Sequence, residues 1–133
     1  AGQFVQKKLR LVYEPTDYQV LTDEKWLSFV IEQLLSNAVK YTNEGSITIS
    51  VDSNLVLSVS DTGIGIAPED LPRIFEKSYT GYNGRVEKRS TGLGLYLCRK
   101  ILNRLSHPIT VTSAIGEGTT FRIDLSRQFL DVE

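Results

Sequence analysis

The hydrophobic period of this chain changes twice in the same order: a long three-and-four-residue pattern, then a pair of alternating runs. Leu27, Val30, Ile31, Leu34, Leu35 and Ala38 recur at helical spacing behind Asp23, a residue type that caps helix starts, so a helix is predicted to about Tyr41. Asn43-Glu44-Gly45 ends it. SITISVD (46–52) and LVLSVSD (55–61) then alternate around Ser53-Asn54, which predicts an antiparallel hairpin. The order repeats downstream. Leu93, Leu97, Ile101 and Leu105 mark one face of a second helix over 93–105. ITVTSA (109–114) and TTFRIDL (119–125) then flank Gly116-Glu117-Gly118 as a second hairpin. Ahead of the first helix, KLRLVY (8–13) reads as a strand stopped by Pro15, and YQVL (18–21) as a second short strand. Pro68 to Phe75 reads as a short helix with proline at its start, and 76–91 as a long charged loop of the kind that usually carries function. Helix–hairpin units in this order predict an α+β fold: a two-layer α/β sandwich, helices on one face of a mixed, mostly antiparallel sheet.

Composition removes whole classes of function. At 133 residues the chain reads as one domain over 1–133, with 1–7 a linker or cloning remnant. The single cysteine, Cys98, cannot form an internal disulfide, and with one histidine there is no zinc cluster. Fifteen basic residues against sixteen acidic ones leave a net charge of −1, without the basic excess that a nucleic-acid grip needs. No apolar run approaches the ~20 residues of a membrane span, and AGQFVQKK lacks a signal-peptide core, so the expectation is a soluble intracellular domain.

Four short constellations carry the chemistry. On the first helix, Gln33, Asn37 and Tyr41 stand four apart and form one stripe, with Lys40 about 60° from Asn37. An amide oxygen is a hard, neutral ligand for Mg²⁺, and a lysine supplies a point charge for phosphate. DTGIGI (61–66) puts Asp61 at a strand end, where a carboxylate can accept from an exocyclic amino group, beside Gly63 and Gly65, which allow close backbone approach. It is no dinucleotide fingerprint, because Pro68 stands where the third glycine belongs. TGLGL (91–95) places Gly92 and Gly94 at a helix start, where backbone N–H groups favour anions. GEGTT (116–120) reads as a turn entering a strand. Each segment alone also reads as ordinary structure: an amphipathic helix, a glycine turn, a flexible joint, a hairpin.

Taken together, Asn-Ala-x-Lys-Tyr, Asp-x-Gly-x-Gly-Ile, a charged loop, Thr-Gly-Leu-Gly-Leu and Gly-x-Gly-Thr resemble the ATP-binding catalytic domain of bacterial sensor histidine kinases over about residues 22–125. The wider group includes type II topoisomerase and mismatch-repair ATPases. SYTGYNGR and STGLGLYL look like the subgroup of small membrane kinases that respond to cell-envelope-active peptides. The resemblance implies an ATP site between the helices and a long lid. In that site Asn37 holds Mg²⁺, Lys40 contacts phosphate, Tyr41 lies beside the nucleotide and Asp61 bonds the adenine amino group. Gly63, Gly65 and Ile66 pass near the base, Gly92, Leu93, Gly94 and Leu95 near the phosphates, and Thr119 helps to hold the adenine-side water. Tyr79, Arg85 and Lys88 are the lid candidates, and the lid composition predicts disorder without nucleotide. The implied partners are ATP, a histidine-bearing dimerisation domain and, indirectly, a response regulator. The implied location is a cytoplasmic domain, itself free of membrane contact, of a parent in the bacterial plasma membrane.

Two features bear on the chemistry. Gln33 stands where topoisomerase-type ATPases carry a water-activating glutamate, and an amide cannot be a general base. Glu32 is rotated ~100° off the stripe. This favours phosphoryl transfer over a self-sufficient ATPase; an anti-sigma-type binding module is the third reading. His107 precedes Pro108 in a turn and reads as structural, so the acceptor histidine and the general base are expected on another domain.

Overall fold

The computed structural model describes residues 8–77 and 93–126. The charged segment with Tyr79, Arg85 and Lys88, its expected disorder, and Gly92 lie outside the described residues. Strand β1 (Lys8–Tyr13), helix α1 (Glu24–Tyr41), β2 (Glu44–Val51), β3 (Val56–Asp61), helix α2 (Leu93–Leu105), β4 (Ile109–Ala114) and β5 (Gly118–Asp124) follow in that order. The sheet runs β1-β2-β3-β5-β4, so β3 is central. Among the described strands only β1–β2 is parallel, with α1 as the crossover; the other pairs are antiparallel. This is the α+β sandwich with a mixed sheet.

Local chemistry explains the helix limits. Asp23 accepts the Trp26 N–H at 3.1 Å, and no glycine or proline interrupts α1 before Thr42 turns extended. Helix α2 ends in a Schellman motif. Ser106 takes φ +65°, its N–H donates to Asn103 O, and the His107 N–H donates to Leu102 O at 2.9 Å. His107 is buried, with Nε2 2.8 Å from Thr22 Oγ1, and pins the start of α1 to the end of α2.

The core lies between the helices and the sheet. Leu27, Val30, Leu34 and Ala38 of α1 meet Ile47, Val59, Phe121 and Ile123 of the strands, with Cys98 and Leu102 of α2. Burial pushes the Cys98 thiol up to about 12, so it behaves as a small, unreactive hydrophobe.

Four expectations need correction. Residues 18–21 form no strand: the Tyr18 N–H turns to Thr16 Oγ1, and among the described residues no ladder partner pairs with the segment. Residues 68–75 form only turns and a 3₁₀ piece, Leu71–Arg73, because Pro72 has no N–H for an α ladder and its ring crowds the preceding turn. The first hairpin turns over four residues, Asp52 to Leu55, with Asp52 Oδ1 accepting from the N–H groups of Asn54 and Val56. In α2 the deeply buried pair is Cys98 and Leu102 at 0% exposure, whereas Leu97 is 39% exposed. Adjacent rows on this helix are both apolar, and packing against α1 at Val30 O selects between them.

Candidate functional site

Asp61 is the last residue of the central strand, paired with Ile47 on one side and Thr119 on the other. Its Oδ1 accepts from the Gly63 N–H at 2.8 Å and the Thr119 N–H at 3.3 Å. One carboxylate oxygen is thus tied to the protein. Burial raises the Asp61 pKa above its ordinary value; the two backbone donors and the nearby Thr42 hydroxyl offset part of that rise.

The segment after Asp61 is clamped between two elements. The Ile64 N–H donates to Tyr41 O at the end of α1 (3.1 Å), and Ile64 O accepts from the Gly116 N–H in the β4–β5 turn (2.8 Å). A Cβ on residue 63 would stand 2.2 Å from Tyr41 O, so the approach to α1 requires glycine. Ile66 donates its N–H to Ser113 Oγ at 2.8 Å.

Ser113 fastens this corner. Its hydroxyl donates to Gly118 O and lies 2.8 Å from Thr119 Oγ1, while accepting from Ile66. Sequence reasoning overlooked it. The signal was the hairpin register: counted outward from Gly116, Ser113 falls directly opposite Thr119. Ser113→Ala leaves the Ile66 N–H and Gly118 O short of a partner. It is expected to cost about 2 kcal/mol of stability, read as a lower urea midpoint at unchanged m-value.

The remaining candidates lie along α1 and in the first turn of α2. Asn37, Lys40 and Tyr41 are half-buried in the last turns of α1, with Lys40 Nζ 5.8 Å from the Tyr41 ring centroid. A lysine there also complements the negative end of the helix dipole. Gln33 faces the start of α2, since a Cβ on Gly94 would stand 3.1 Å from Gln33 Oε1. Leu95 packs partly against the core. Thr119 is 7% exposed. Glu32 is exposed, off the stripe. Phe75 packs edge-to-face on Phe121 at 6.2 Å, beneath the Arg99 guanidinium at 5.0 Å. The corner thus joins a fixed carboxylate, a glycine-tight backbone loop and the C-terminal end of α1. A carboxylate held in this way keeps lone pairs free to accept from an amino group.

The chain belongs to the family of histidine kinase-, DNA gyrase B- and HSP90-like ATPases, whose model matches residues 22–128. Its homologues are sensor histidine kinases. It is 46% identical to the sensor protein BceS of Halalkalibacterium halodurans over 121 residues, which cover 89% of this chain and 36% of BceS. It is 42% identical to the sensor histidine kinase YxdK of Bacillus subtilis over 111 residues, covering 80% of this chain and 34% of YxdK. The sensor protein kinase GraS of Staphylococcus aureus is 42% identical over 110 residues, covering 80% and 32%. The chain therefore spans about a third of the length of these curated relatives. Among solved structures, full-length ShkA in complex with AMPPNP matches with a TM-score of 0.73 at 26% identity, covering 94% of this chain and 27% of ShkA. The nucleotide-free catalytic domain of histidine kinase ThkA matches with a TM-score of 0.69 at 25% identity, covering 91% and 79%. Among the described residues no helix is long and apolar enough to cross a membrane.

Proposed function

We propose that this chain binds Mg–ATP and donates its γ-phosphoryl group to a histidine on a separate dimerisation domain of a two-component sensor kinase. The observation that carries the reading is the Asp61 carboxylate, with one oxygen held by Gly63 and Thr119 at the end of the central strand. An anchored carboxylate with lone pairs to spare selects an amino-bearing base such as adenine over a 6-keto purine. Thr119, hydrogen-bonded to Ser113, lines the same corner and suits the adenine-side water. Gly63, Gly65 and Ile66 supply the wall beside the base. Asn37 suits Mg²⁺ as a neutral oxygen ligand, Lys40 suits phosphate, and Tyr41 borders the nucleotide. Gly92, Leu93, Gly94 and Leu95 of the TGLGL segment suit the phosphates, with Tyr79, Arg85 and Lys88 as lid contacts.

Mg²⁺ bound there would neutralise phosphate charge; it characteristically takes few protein ligands, completing its shell with waters and phosphate oxygens. The donor set fits that habit. Asn37 offers one neutral oxygen, and among the described residues no cluster of three His, Cys, Asp or Glu side chains could hold a metal. Gln33 and the exposed, off-stripe Glu32 offer no general base for water, which favours transfer to another nucleophile over free hydrolysis. The ShkA complex with AMPPNP supports the nucleotide reading. The lid text and the similarity to BceS, YxdK and GraS support a membrane-held parent that responds to envelope-active peptides and passes phosphate onward to a response regulator.

Calorimetry of ATP with and without Mg²⁺ tests the proposal. Wild type is expected to bind ATP more tightly with Mg²⁺, and Asn37→Ala to lose that gain, about tenfold, while keeping its Mg-free affinity. A purified histidine-bearing partner domain should then acquire phosphate from ATP in the presence of this chain. Steady phosphate release by the chain alone, without transfer, would favour the ATPase reading.

A further inference from the structure

Thr42 caps the C-terminus of α1 in extended backbone and is 0% exposed. Among the described residues its hydroxyl has no hydrogen-bond partner of ordinary geometry. Native interiors seldom leave such a group unmatched. The oxygen lies under the turn that holds Asp61: a Cβ on residue 63 would stand 2.7 Å from Thr42 Oγ1, and the Gly63 N–H is itself a donor to Asp61 Oδ1. The hydroxyl is also near enough to the carboxylate to favour its charged form. A buried O–H beside a half-tied carboxylate has one evident use.

We infer that Thr42 is a positioning residue for Asp61: with nucleotide bound, its hydroxyl donates to the carboxylate and holds it in the orientation that meets the base amino group. The inference rests on the reading of Asp61 as the adenine-selecting group. It also accounts for glycine at 63, because a side chain there would occupy the space of the Thr42 hydroxyl.

Two nucleotides separate positioning from mere support of the fold: Mg–ATP, and Mg–purine riboside triphosphate, which lacks the 6-amino group. Measured by calorimetry, Thr42→Val is expected to weaken ATP about tenfold, the size of one charge-assisted hydrogen bond, and to change the purine analogue less than about twofold. Thr42→Ser should restore ATP binding to within about twofold of wild type. Equal loss of both nucleotides, loss of neither, or failure of Thr42→Ser to rescue overturns the inference. Should Thr42→Val not fold, Thr42→Ala carries the same comparison. Wild type itself must prefer ATP to the analogue; equal binding overturns the adenine reading of Asp61, and the role of Thr42 with it, which distinguishes that failure from a failure of Thr42 alone.

Discussion

Asp61→Asn is expected to lose ATP affinity without losing stability. The side chain must keep a carbonyl oxygen toward the N–H groups of Gly63 and Thr119, because both donate to Oδ1. The amide NH₂ is then left facing the base, donor against donor. Replacing a charged acceptor in this way is expected to cost about 2–3 kcal/mol, or roughly 30- to 150-fold in ATP affinity by calorimetry. Stability moves the other way. Burial raises the Asp61 pKa, so the folded state binds this proton more readily than the unfolded state does. Such a group favours folding below its unfolded pKa, and that contribution is lost as pH rises through the folded value. Above that raised value the ligand-free domain carries an unfavourable charge, which Asn removes. The apo melting temperature of Asp61→Asn should equal or exceed that of wild type above the raised pKa, with the gap closing as pH falls through it. A variant that melts well below wild type would show that the carboxylate holds the corner together rather than serving a ligand. Asp124 titrates in the opposite sense, its pKa lowered first by the Ser126 hydroxyl, so the wild-type/Asn difference is the quantity to follow.

The second large effect is at Gly65. It takes φ +80°, and a Cβ there would stand 2.1 Å from Ala114 O, a backbone atom of β4 that cannot move without opening the sheet edge. Gly65→Ala is expected to destabilise by about 3 kcal/mol or more, lowering Tm by roughly 10 °C for a domain of this size. Gly116 supplies the control. Its φ is nearly the same, +81°, but a Cβ there would meet nothing within 4 Å among the described residues. Gly116→Ala therefore meets only the left-handed backbone penalty, about 1 kcal/mol. Similar melting temperatures for the two variants would refute the close packing of the Asp61 loop on the β4–β5 turn.

Together these variants divide the corner into two kinds of residue. Gly65 and Ser113 build it: their contacts are within the protein, and their loss is read in stability. Asp61 is presented by it, at a cost to the ligand-free fold. A site that carries an unfavourable charge until a ligand arrives is one common form of the trade between stability and function.

Much of this was written in local sequence. Asp23 and the apolar stripe from Leu27 to Ala38 are enough to start and orient α1, because capping and 3.6-residue periodicity act within a few residues. Alternation marked both hairpins, and the spacing of the glycine boxes carried the family. The structure had to decide wherever two local readings were equally good, or where a partner lay far away in the chain. It chose Cys98 over Leu97 as the buried row of α2, since both rows are apolar and only α1 discriminates between them. It paired β1 parallel to β2, and it denied residues 18–21 a ladder. It brought Thr42 beneath Gly63, and Ser113 against Ile66 across 47 residues of chain. Periodicity and caps are properties of neighbours along the chain; the pinning of a carboxylate, and the energy needed to bury it, depend on groups that meet only when the sheet closes.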